Sequence, residues 1–335
     1  MQRTLVTVLF LALTCSLAEA QLFRRAAPTT AELSALGLQE RSLRVGATTR
    51  WLLLQQPPDG QRPAPILIVL HGGGQSMRRM FDAGAGATRG WPELARRENA
   101  LLLVPNGTNP DNGDPRGDNQ TWNDLRQDIA RASSADDVAY ILALIGWAQA
   151  TYRTDAARVY VTGASNGGMM TFRLLMEVPE PFAAGAAFVG ALPAEDTRLK
   201  PPARPTPLLI ANGKLDPLVQ WNGGEIAGHR GQTRSVAATV AWWAAANKAA
   251  AQPSATATLP DTDPSDACRI ERRDYPAGPG GAPVTTYTMT GGGHSIPSSR
   301  YDIPKGWLVR RFIGPVCRDA EGIELAWQFL SAFRR

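Results

Sequence analysis

One serine in this sequence stands in a setting that could make it a nucleophile. Ser165 is the central residue of Gly163-Ala164-Ser165-Asn166-Gly167, which matches the pattern G-x-S-x-G. In this pattern the flanking glycines let the chain turn sharply from a strand into a helix and present the serine hydroxyl in a strained, exposed position. The pattern is short, and an ordinary glycine-rich turn is the alternative interpretation. Its meaning therefore depends on whether the rest of the chain supplies partners.

The first partner that a nucleophilic serine needs is a base, usually a histidine held by a carboxylate. The chain contains three histidines, His71, His229 and His294. Nucleophile elbows are followed along the chain first by the carboxylate and then by the histidine, which excludes His71 as the base. His294 follows a predicted strand and precedes the last predicted helix, so we expect it to be the base. For His229 we expect a satisfied structural role, although its loop could line the site.

Asp216 is the predicted carboxylate. It ends the loop 212–216, directly after a strand predicted at 207–211. His229 follows it by too few residues for a crossover connection and a further parallel strand, which again favours His294 as the base. Asp196 is the second choice because it also follows a strand-like segment. The three aspartates between 261 and 266 lie in a loop rich in proline and threonine, and we expect them to be solvated.

Two backbone amides are candidates for an oxyanion hole. Attack on an ester creates an oxyanion, and N–H groups already aimed at it can stabilise it by about 3 to 4 kcal/mol each. The amide of Asn166, next to the serine, is one candidate. The other is the amide of Gly73 in the run His71-Gly72-Gly73-Gly74, which follows a continuous apolar segment at 65–70. By itself this glycine run could equally be a flexible turn.

The elements predicted along the chain would bring these residues together. After a hairpin at 41–45 and 50–54, strand and helix patterns alternate. The predicted strands are 65–70, 100–104, 158–162, 183–189, 207–211, 270–275 and 284–289, and the predicted helices are 91–99, 136–152, 166–178, 233–248 and 322–333. This alternation favours an α/β fold with a mostly parallel sheet and helices on both faces. Active sites of such sheets lie at the carboxyl ends of the strands, where Ser165, Asp216 and His294 are expected.

The first twenty residues indicate export. Arg3 precedes an apolar run at 5–13, and Ala18-Glu19-Ala20 supplies the small residues of a cleavage site, so 1–20 is predicted to be a secretory signal peptide. We expect 21–335 to form one catalytic domain, extracellular or periplasmic. No later stretch approaches about 18 consecutive apolar residues, and we expect no membrane partner.

Cysteine count and charge limit the remaining possibilities. Removal of Cys15 with the signal peptide would leave Cys268 and Cys317, an even pair in an exported chain. This predicts a disulfide, with two buried thiols as the alternative. The net charge of +5 comes mostly from arginines scattered along the chain. Because no basic run is interleaved with aromatic residues, we expect a solvated surface and no nucleic-acid partner.

The motifs LHGGGQS, TWNDL, VTGASNGGMM, NGKLDPLVQWNGG and GGGHSIP resemble those of secreted polyhydroxybutyrate depolymerase-like and feruloyl or acetylxylan esterases, which have the α/β-hydrolase fold. The resemblance covers most of the chain from Pro65 onward. It implies a triad of Ser165, Asp216 and His294, and it places the Trp122 loop near the substrate.

Three residues within these motifs are assigned to substrate binding: Gln75, Trp122 and Trp221. Trp122 lies in a polar loop at 118–124, and we expect it to be an exposed aromatic platform for a sugar or phenolic ring. A tryptophan packed under the loop is the alternative. For Trp221, binding and packing are equally supported.

One part of the chain departs from the family pattern. Ile296 stands two residues after His294, where the family often has a tryptophan, and the stretch up to Arg318 is longer than expected. We therefore predict that 296–318 is an insertion over the active site, with Tyr301 and Trp307 folded over the cleft.

These residues together predict a serine carboxylesterase that forms an acyl-enzyme and needs no metal or organic cofactor. Its substrate could be a small, oligomeric or polymeric ester, of the feruloyl, acetyl or 3-hydroxybutyrate type. An acyltransferase with the same triad is one alternative, and it would differ in keeping water away from the acyl-enzyme. A non-catalytic ligand-binding protein on a hydrolase scaffold is another.

Overall fold

A ten-stranded sheet organises the chain in the computed structural model, which describes residues 26–126, 129, 133–195, 197–301, 303 and 311–335. Three of the sequence expectations lie outside these residues. They concern the signal peptide at 1–20, the alternative carboxylate Asp196 and the proposed cleft residue Trp307.

The strands, in chain order, are β1 (Gln39–Val45), β2 (Thr48–Gln55), β3 (Ala64–Leu70), β4 (Leu101–Pro105), β5 (Thr154–Ala164), β6 (Ala184–Phe188), β7 (Leu208–Gly213), β8 (Gly224–Glu225), β9 (Gln232–Thr233), β10 (Ala255–Thr258), β11 (Arg269–Tyr275) and β12 (Val284–Thr290). The α-helices are α1 (Thr30–Ala35), α2 (Trp91–Arg97), α3 (Asp137–Thr151), α4 (Asn166–Glu177), α5 (Val236–Ala246) and α6 (Gly322–Leu330). Short 3₁₀ helices occur at Arg79–Phe81, Gly86–Gly90 and Pro264–Asp266.

The large sheet is parallel in its centre and antiparallel at both edges. Its strand order is β1-β2-β4-β3-β5-β6-β7-β12-β11-β10, and β8 pairs separately with β9. Every pairing from β4 to β12 is parallel, whereas β1, β2, β10 and β11 are attached by antiparallel pairing. The predicted α/β class with a mostly parallel sheet is confirmed.

Helices cover both faces of this sheet, which explains the continuous apolar strands. All seven residues of β3 are buried, because side chains that alternate between two covered faces must all be apolar. Leu67 belongs to the core that also contains Trp91 of α2, whereas Ile68 belongs to the opposite core with Tyr140 of α3 and Trp243 of α5. The strands are therefore held rigidly between two apolar layers, and the loops at their ends have fixed starting points.

The predicted disulfide is present. Cys268 and Cys317 are bonded, with their Cα atoms 5.4 Å apart and 49 residues between them in sequence. Both side chains are fully buried in the core that contains α2 and α6. None of the described helices has both the length and the apolar character that a membrane span requires.

Candidate active site

Ser165 lies at a sharp turn between β5 and α4. Its backbone has φ 56° and ψ −124°, a left-handed conformation that a residue with a side chain adopts only under strain. The flanking glycines are required by space. A Cβ on Gly163 would lie 2.5 Å from the carbonyl carbon of Gly167, and a Cβ on Gly167 would lie 2.4 Å from the carbonyl oxygen of Leu70. The pattern G-x-S-x-G thus occurs in the strand–turn–helix context that a nucleophile elbow needs.

His294 and Asp216 meet at the same edge of the sheet. The strands before them, β12 and β7, are parallel neighbours, so their following loops lie side by side. His294 Nδ1 donates to Asp216 Oδ2 at 2.7 Å. The other carboxylate oxygen accepts from the amides of Leu218 and Val219, both at 2.8 Å. These bonds fix the carboxylate, which in turn orients the imidazole so that Nε2 is left to accept a proton.

The serine and the histidine are not joined by a hydrogen bond among the described contacts. Ser165 follows β5, and His294 follows β12, with β6 and β7 between these strands. In unliganded active sites this bond is often long and shortens only when substrate binds. Asp216 and His294 are therefore already paired, whereas Ser165 is held separately at the elbow.

Of the three amides in the glycine run, one is free. The amide of Gly72 donates to Gln75 Oε1 at 3.3 Å, and the amide of Gly74 donates to the Gln120 carbonyl at 2.8 Å. The amide of Gly73 has no acceptor in the described part of the chain. A Cβ on Gly73 would lie 3.3 Å from the Cβ of Asn166, so Gly73 is adjacent to the start of α4. This position suits a donor to an oxyanion formed beside Ser165.

His71 holds the glycine run in place. Its imidazole is fully buried, Nδ1 donates to the Gly72 carbonyl at 2.8 Å, and Nε2 accepts from the Gly107 amide at 3.0 Å. Burial lowers the pKa of His71 to about 4. The side chain is therefore neutral at physiological pH, and its role is structural.

Trp122 is not the exposed platform that the sequence led us to expect. Only 2% of the residue is exposed, and its ring packs on His71 with centroids 4.8 Å apart. Its Nε1 donates to the His71 carbonyl at 3.0 Å. The expectation of exposure was wrong because tertiary hydrogen bonds draw this polar loop onto the elbow. The buried alternative is correct, and Trp122 still contributes to the wall of the cavity beside Ser165.

The side chain of Asn166 supplies most of those hydrogen bonds, and sequence reasoning missed it. Its Oδ1 accepts from the Trp122 amide at 2.7 Å, and its Nδ2 donates to the Trp122 carbonyl at 3.0 Å and to Asp124 Oδ2 at 2.6 Å. Asp124 also pairs with Arg126. The motif TWNDL therefore serves to join its loop to the elbow, a role that no local pattern in either segment indicates.

Two other residues assigned to substrate binding lie outside the cavity wall. Gln75 uses its side-chain oxygen to accept from Gly72, so it stabilises the glycine run. Trp221 packs partly against the core that contains Trp243, with Lys214 Nζ 5.7 Å from its ring centroid. For both residues the substrate-binding prediction has no support from their position.

His229 differs from the satisfied structural histidine that we expected. Its side chain is 85% exposed and lies 2.7 Å from Glu225 in an ion-pair geometry. Its backbone φ is 52°. The loop between β8 and β9 that carries it does line the cavity, as considered from the sequence.

The cavity beside Ser165 has a volume of about 260 Å³. Part of its wall is apolar, formed by Trp122, Ile129, Leu218, Val219 and Ile226. Another part carries cationic or basic side chains, namely Arg126, His229 and Arg230. The described residues contain no group of three His, Cys, Asp or Glu side chains that could hold a metal ion.

The described part of the segment 296–318 does not close over this cavity. Tyr301 donates its hydroxyl to Glu93 Oε2 at 3.1 Å and packs against α2, so the expectation that it covers the cleft was wrong. Further along, the Ile313 carbonyl accepts from the His294 amide. This segment therefore supports the loop that carries His294.

Comparison with solved structures identifies the fold. An acetyl xylan esterase from Aspergillus awamori matches 82% of this chain and 98% of its own, with a TM-score of 0.54 and 14% identity. A thermostable esterase matches 89% of this chain and 64% of its own, with a TM-score of 0.52 and 17% identity. The chain has the α/β-hydrolase fold. A family model described as the prolyl oligopeptidase family matches residues 112–202, a stretch that includes Ser165.

The sequence relatives agree with the resemblance to polyhydroxybutyrate depolymerase-like and feruloyl or acetylxylan esterases. The chain is 33% identical over 134 residues to feruloyl esterase B of Neurospora crassa, covering 40% of this chain and 41% of the relative. It is 32% identical over 146 residues to poly(3-hydroxybutyrate) depolymerase of Ralstonia pickettii, covering 42% and 28%. With acetylxylan esterase A of Emericella nidulans it shares 36% identity over 69 residues, covering 21% and 23%. The chain thus spans less than half the length of each of these relatives, and the predicted resemblance is confirmed.

Proposed function

We propose that this chain is a serine carboxylesterase that works through an acyl-enzyme. The observation that carries the proposal is the bond of 2.7 Å between His294 and the buried Asp216, at the sheet edge where Ser165 occupies a strained elbow. A buried carboxylate that fixes a histidine at this edge serves to keep the imidazole in the tautomer that accepts a proton. A plain glycine-rich turn would need neither residue.

In the first half of the proposed reaction, Ser165 Oγ attacks the ester carbonyl and its proton passes to His294 Nε2. The oxyanion accepts hydrogen bonds from the amides of Gly73 and Asn166. When the tetrahedral intermediate collapses, the ester C–O bond breaks and the alcohol leaves with the proton from His294. Asp216 stabilises the imidazolium while it exists.

In the second half, water replaces the alcohol. It attacks the acyl carbonyl and gives a proton to His294, and the Oγ–acyl bond breaks as Ser165 recovers that proton. The carboxylic acid is released, and the enzyme returns to its starting state.

The proposed substrates are carboxylic esters of the feruloyl, acetyl or 3-hydroxyalkanoate type. Support comes from the names of the relatives, which include a feruloyl esterase, an acetylxylan esterase and a poly(3-hydroxybutyrate) depolymerase. We also propose that residues 21–335 form one catalytic domain and that the chain is exported. The single domain is supported by the ten-stranded sheet, to which strands from β1 to β12 contribute. Export is supported by the Cys268–Cys317 disulfide, since such bonds persist in oxidising compartments.

A kinetic comparison of wild type with Ser165→Ala tests the proposal. The substrates are p-nitrophenyl acetate, p-nitrophenyl butyrate, methyl ferulate and a hydroxybutyrate oligomer. We expect kcat to fall by more than about 10³-fold on every ester that wild type cleaves, because the nucleophile is absent. Ser254→Ala, which removes an exposed serine hydroxyl that donates to the Asp274 carbonyl, is the matched control and should retain full activity. Retained activity in Ser165→Ala would contradict the proposal.

A further inference from the structure

Two guanidinium groups line the cavity beside Ser165, and the first of them is already neutralised. Arg126 Nε lies 3.0 and 2.9 Å from the two carboxylate oxygens of Asp124, and a second nitrogen lies 2.8 Å from the same carboxylate. The Arg126 side chain is only 9% exposed. Its Nη1 donates to the backbone carbonyl of Arg230 at 2.5 Å. Arg126 is thus a fixed, paired cation that also anchors the second arginine.

The second guanidinium, that of Arg230, has a charge that no described residue neutralises. Its Nε donates to the Ala227 carbonyl at 2.6 Å, which holds the side chain without pairing its charge. Glu225, on the same loop, lies in the ion pair with His229. Among the described residues, no carboxylate lies within ion-pair distance of Arg230, and its two terminal nitrogens have no acceptor. They are therefore available to a ligand in the cavity.

The surroundings of Arg230 favour an anion as that ligand. Arg230 is an exposed residue, but partial loss of solvent around its guanidinium lowers its pKa, and the nearby positive charge of Arg126 lowers it further. A negative group beside Arg230 would offset both effects. The described cavity wall contains Arg126, His229 and Arg230 but no aspartate or glutamate, which favours an anion over a cation.

We propose that this cavity selects esters that carry a free carboxylate and that Arg230 binds this carboxylate. A guanidinium with two free N–H groups matches the two oxygens of a carboxylate in a bidentate geometry. The proposal rests on the esterase function proposed above and narrows its substrate class. Of the three ester types, the 3-hydroxyalkanoate oligomers end in a carboxylate, whereas acetyl esters and methyl ferulate do not carry one. The apolar part of the cavity wall would accommodate the aliphatic part of such an oligomer.

A matched pair of substrates tests this inference. One is the dimer of 3-hydroxybutyrate as the free acid, and the other is the same dimer with a terminal primary amide, which replaces the carboxylate with a neutral group of similar size and adds no second ester bond. Cleavage of the internal ester bond is followed at pH 7 by chromatography of the released monomer. The quantity compared is kcat/KM for the acid divided by kcat/KM for the amide. This ratio does not depend on how much of the enzyme is active.

We expect wild type to prefer the acid by about tenfold or more, the range that a charge-assisted hydrogen bond supports. Arg230→Gln should bring the ratio close to one, mainly by raising KM for the acid. Arg230→Lys should keep part of the preference, since the charge remains without the bidentate geometry. Arg62→Gln removes an arginine that is 73% exposed and outside the cavity wall, and it should keep the wild-type ratio. In wild type the preference should shrink as salt is added.

The inference is overturned if wild type shows no preference for the acid, if both dimers resist cleavage, or if Arg230→Gln keeps the wild-type ratio. Hydrolysis of p-nitrophenyl butyrate by wild type and its loss in Ser165→Ala are measured on the same preparations. If that hydrolysis depends on Ser165 but the acid is not preferred, only the inference fails. If wild type hydrolyses none of the esters, the esterase proposal fails as well.

Discussion

Acid should destabilise this protein through His71, and replacing that histidine should remove the effect. The imidazole is fully buried and neutral, with Nε2 accepting from the Gly107 amide and Nδ1 donating to the Gly72 carbonyl. Protonation would put a charge in an apolar core and turn Nε2 into a donor that faces another donor. Burial lowers the pKa of His71 from its ordinary value of 6.5 to about 4.

The size and sign of the effect follow from linkage between protonation and folding. One pKa unit corresponds to about 1.4 kcal/mol, so this group contributes on the order of 3 kcal/mol to the free energy of unfolding. Because the pKa is lower in the folded state, the contribution is complete above pH 6.5 and is lost as the pH falls toward 4. Protonation of His71 should also disturb the position of the Gly73 amide, because His71 holds the glycine run in place.

Urea unfolding at pH 7, 6, 5 and 4.5 measures this contribution in wild type and His71→Gln. Carboxylates titrate in both proteins, so their contributions cancel when the unfolding free energy of one protein is subtracted from that of the other. We expect that difference to shrink by roughly 2 to 3 kcal/mol from pH 7 to pH 4.5. His229→Gln, at a histidine whose side chain is 85% exposed, is the matched control and should follow wild type. A difference between wild type and His71→Gln that does not change with pH would refute the reasoning.

Two further predictions concern the supports of the site. Asn166→Ala should lower the free energy of unfolding by about 2 to 4 kcal/mol and also lower kcat, because it leaves the buried amide of Trp122 without its acceptor and removes one of the donors to the carboxylate of Asp124. Urea unfolding and esterase kinetics check this, and unchanged values would contradict it. Reduction of the Cys268–Cys317 disulfide, which closes a loop across 49 residues, should cost about 4 kcal/mol. Urea unfolding with and without reductant measures this cost, and coincident curves would disprove it.

The central strands and the elbow could be predicted because their signals are local. β3 and β4 read as continuous apolar runs of strand length, and both are entirely buried. The order of the elbow, the acid and the base along the chain led to the pair of Asp216 and His294, which the structure joins at 2.7 Å. These inferences needed only residue types, their spacing and the rule that loops at one edge of a parallel sheet meet.

Features that depend on distant contacts could not be predicted in this way. Trp122 lies in a polar loop that locally suggests exposure, yet Asn166, 44 residues later, draws it into the core. The strands β8 and β9 have two residues each, too few to show any periodicity, although their loop supplies Arg230 to the cavity. The helix α1 is also short, but its capping box between Thr29 and Glu32 was a usable signal that the sequence reasoning overlooked.

Covalent labelling of Ser165 tests the central claim most directly. A fluorophosphonate reacts with a serine whose hydroxyl is activated by a base, forming an O–P bond as fluoride leaves. We predict one adduct per chain, located at Ser165 by mass spectrometry of the digested protein, and a strongly slowed reaction in His294→Ala. An unmodified Ser165, or an adduct that forms equally fast in His294→Ala, would contradict the account.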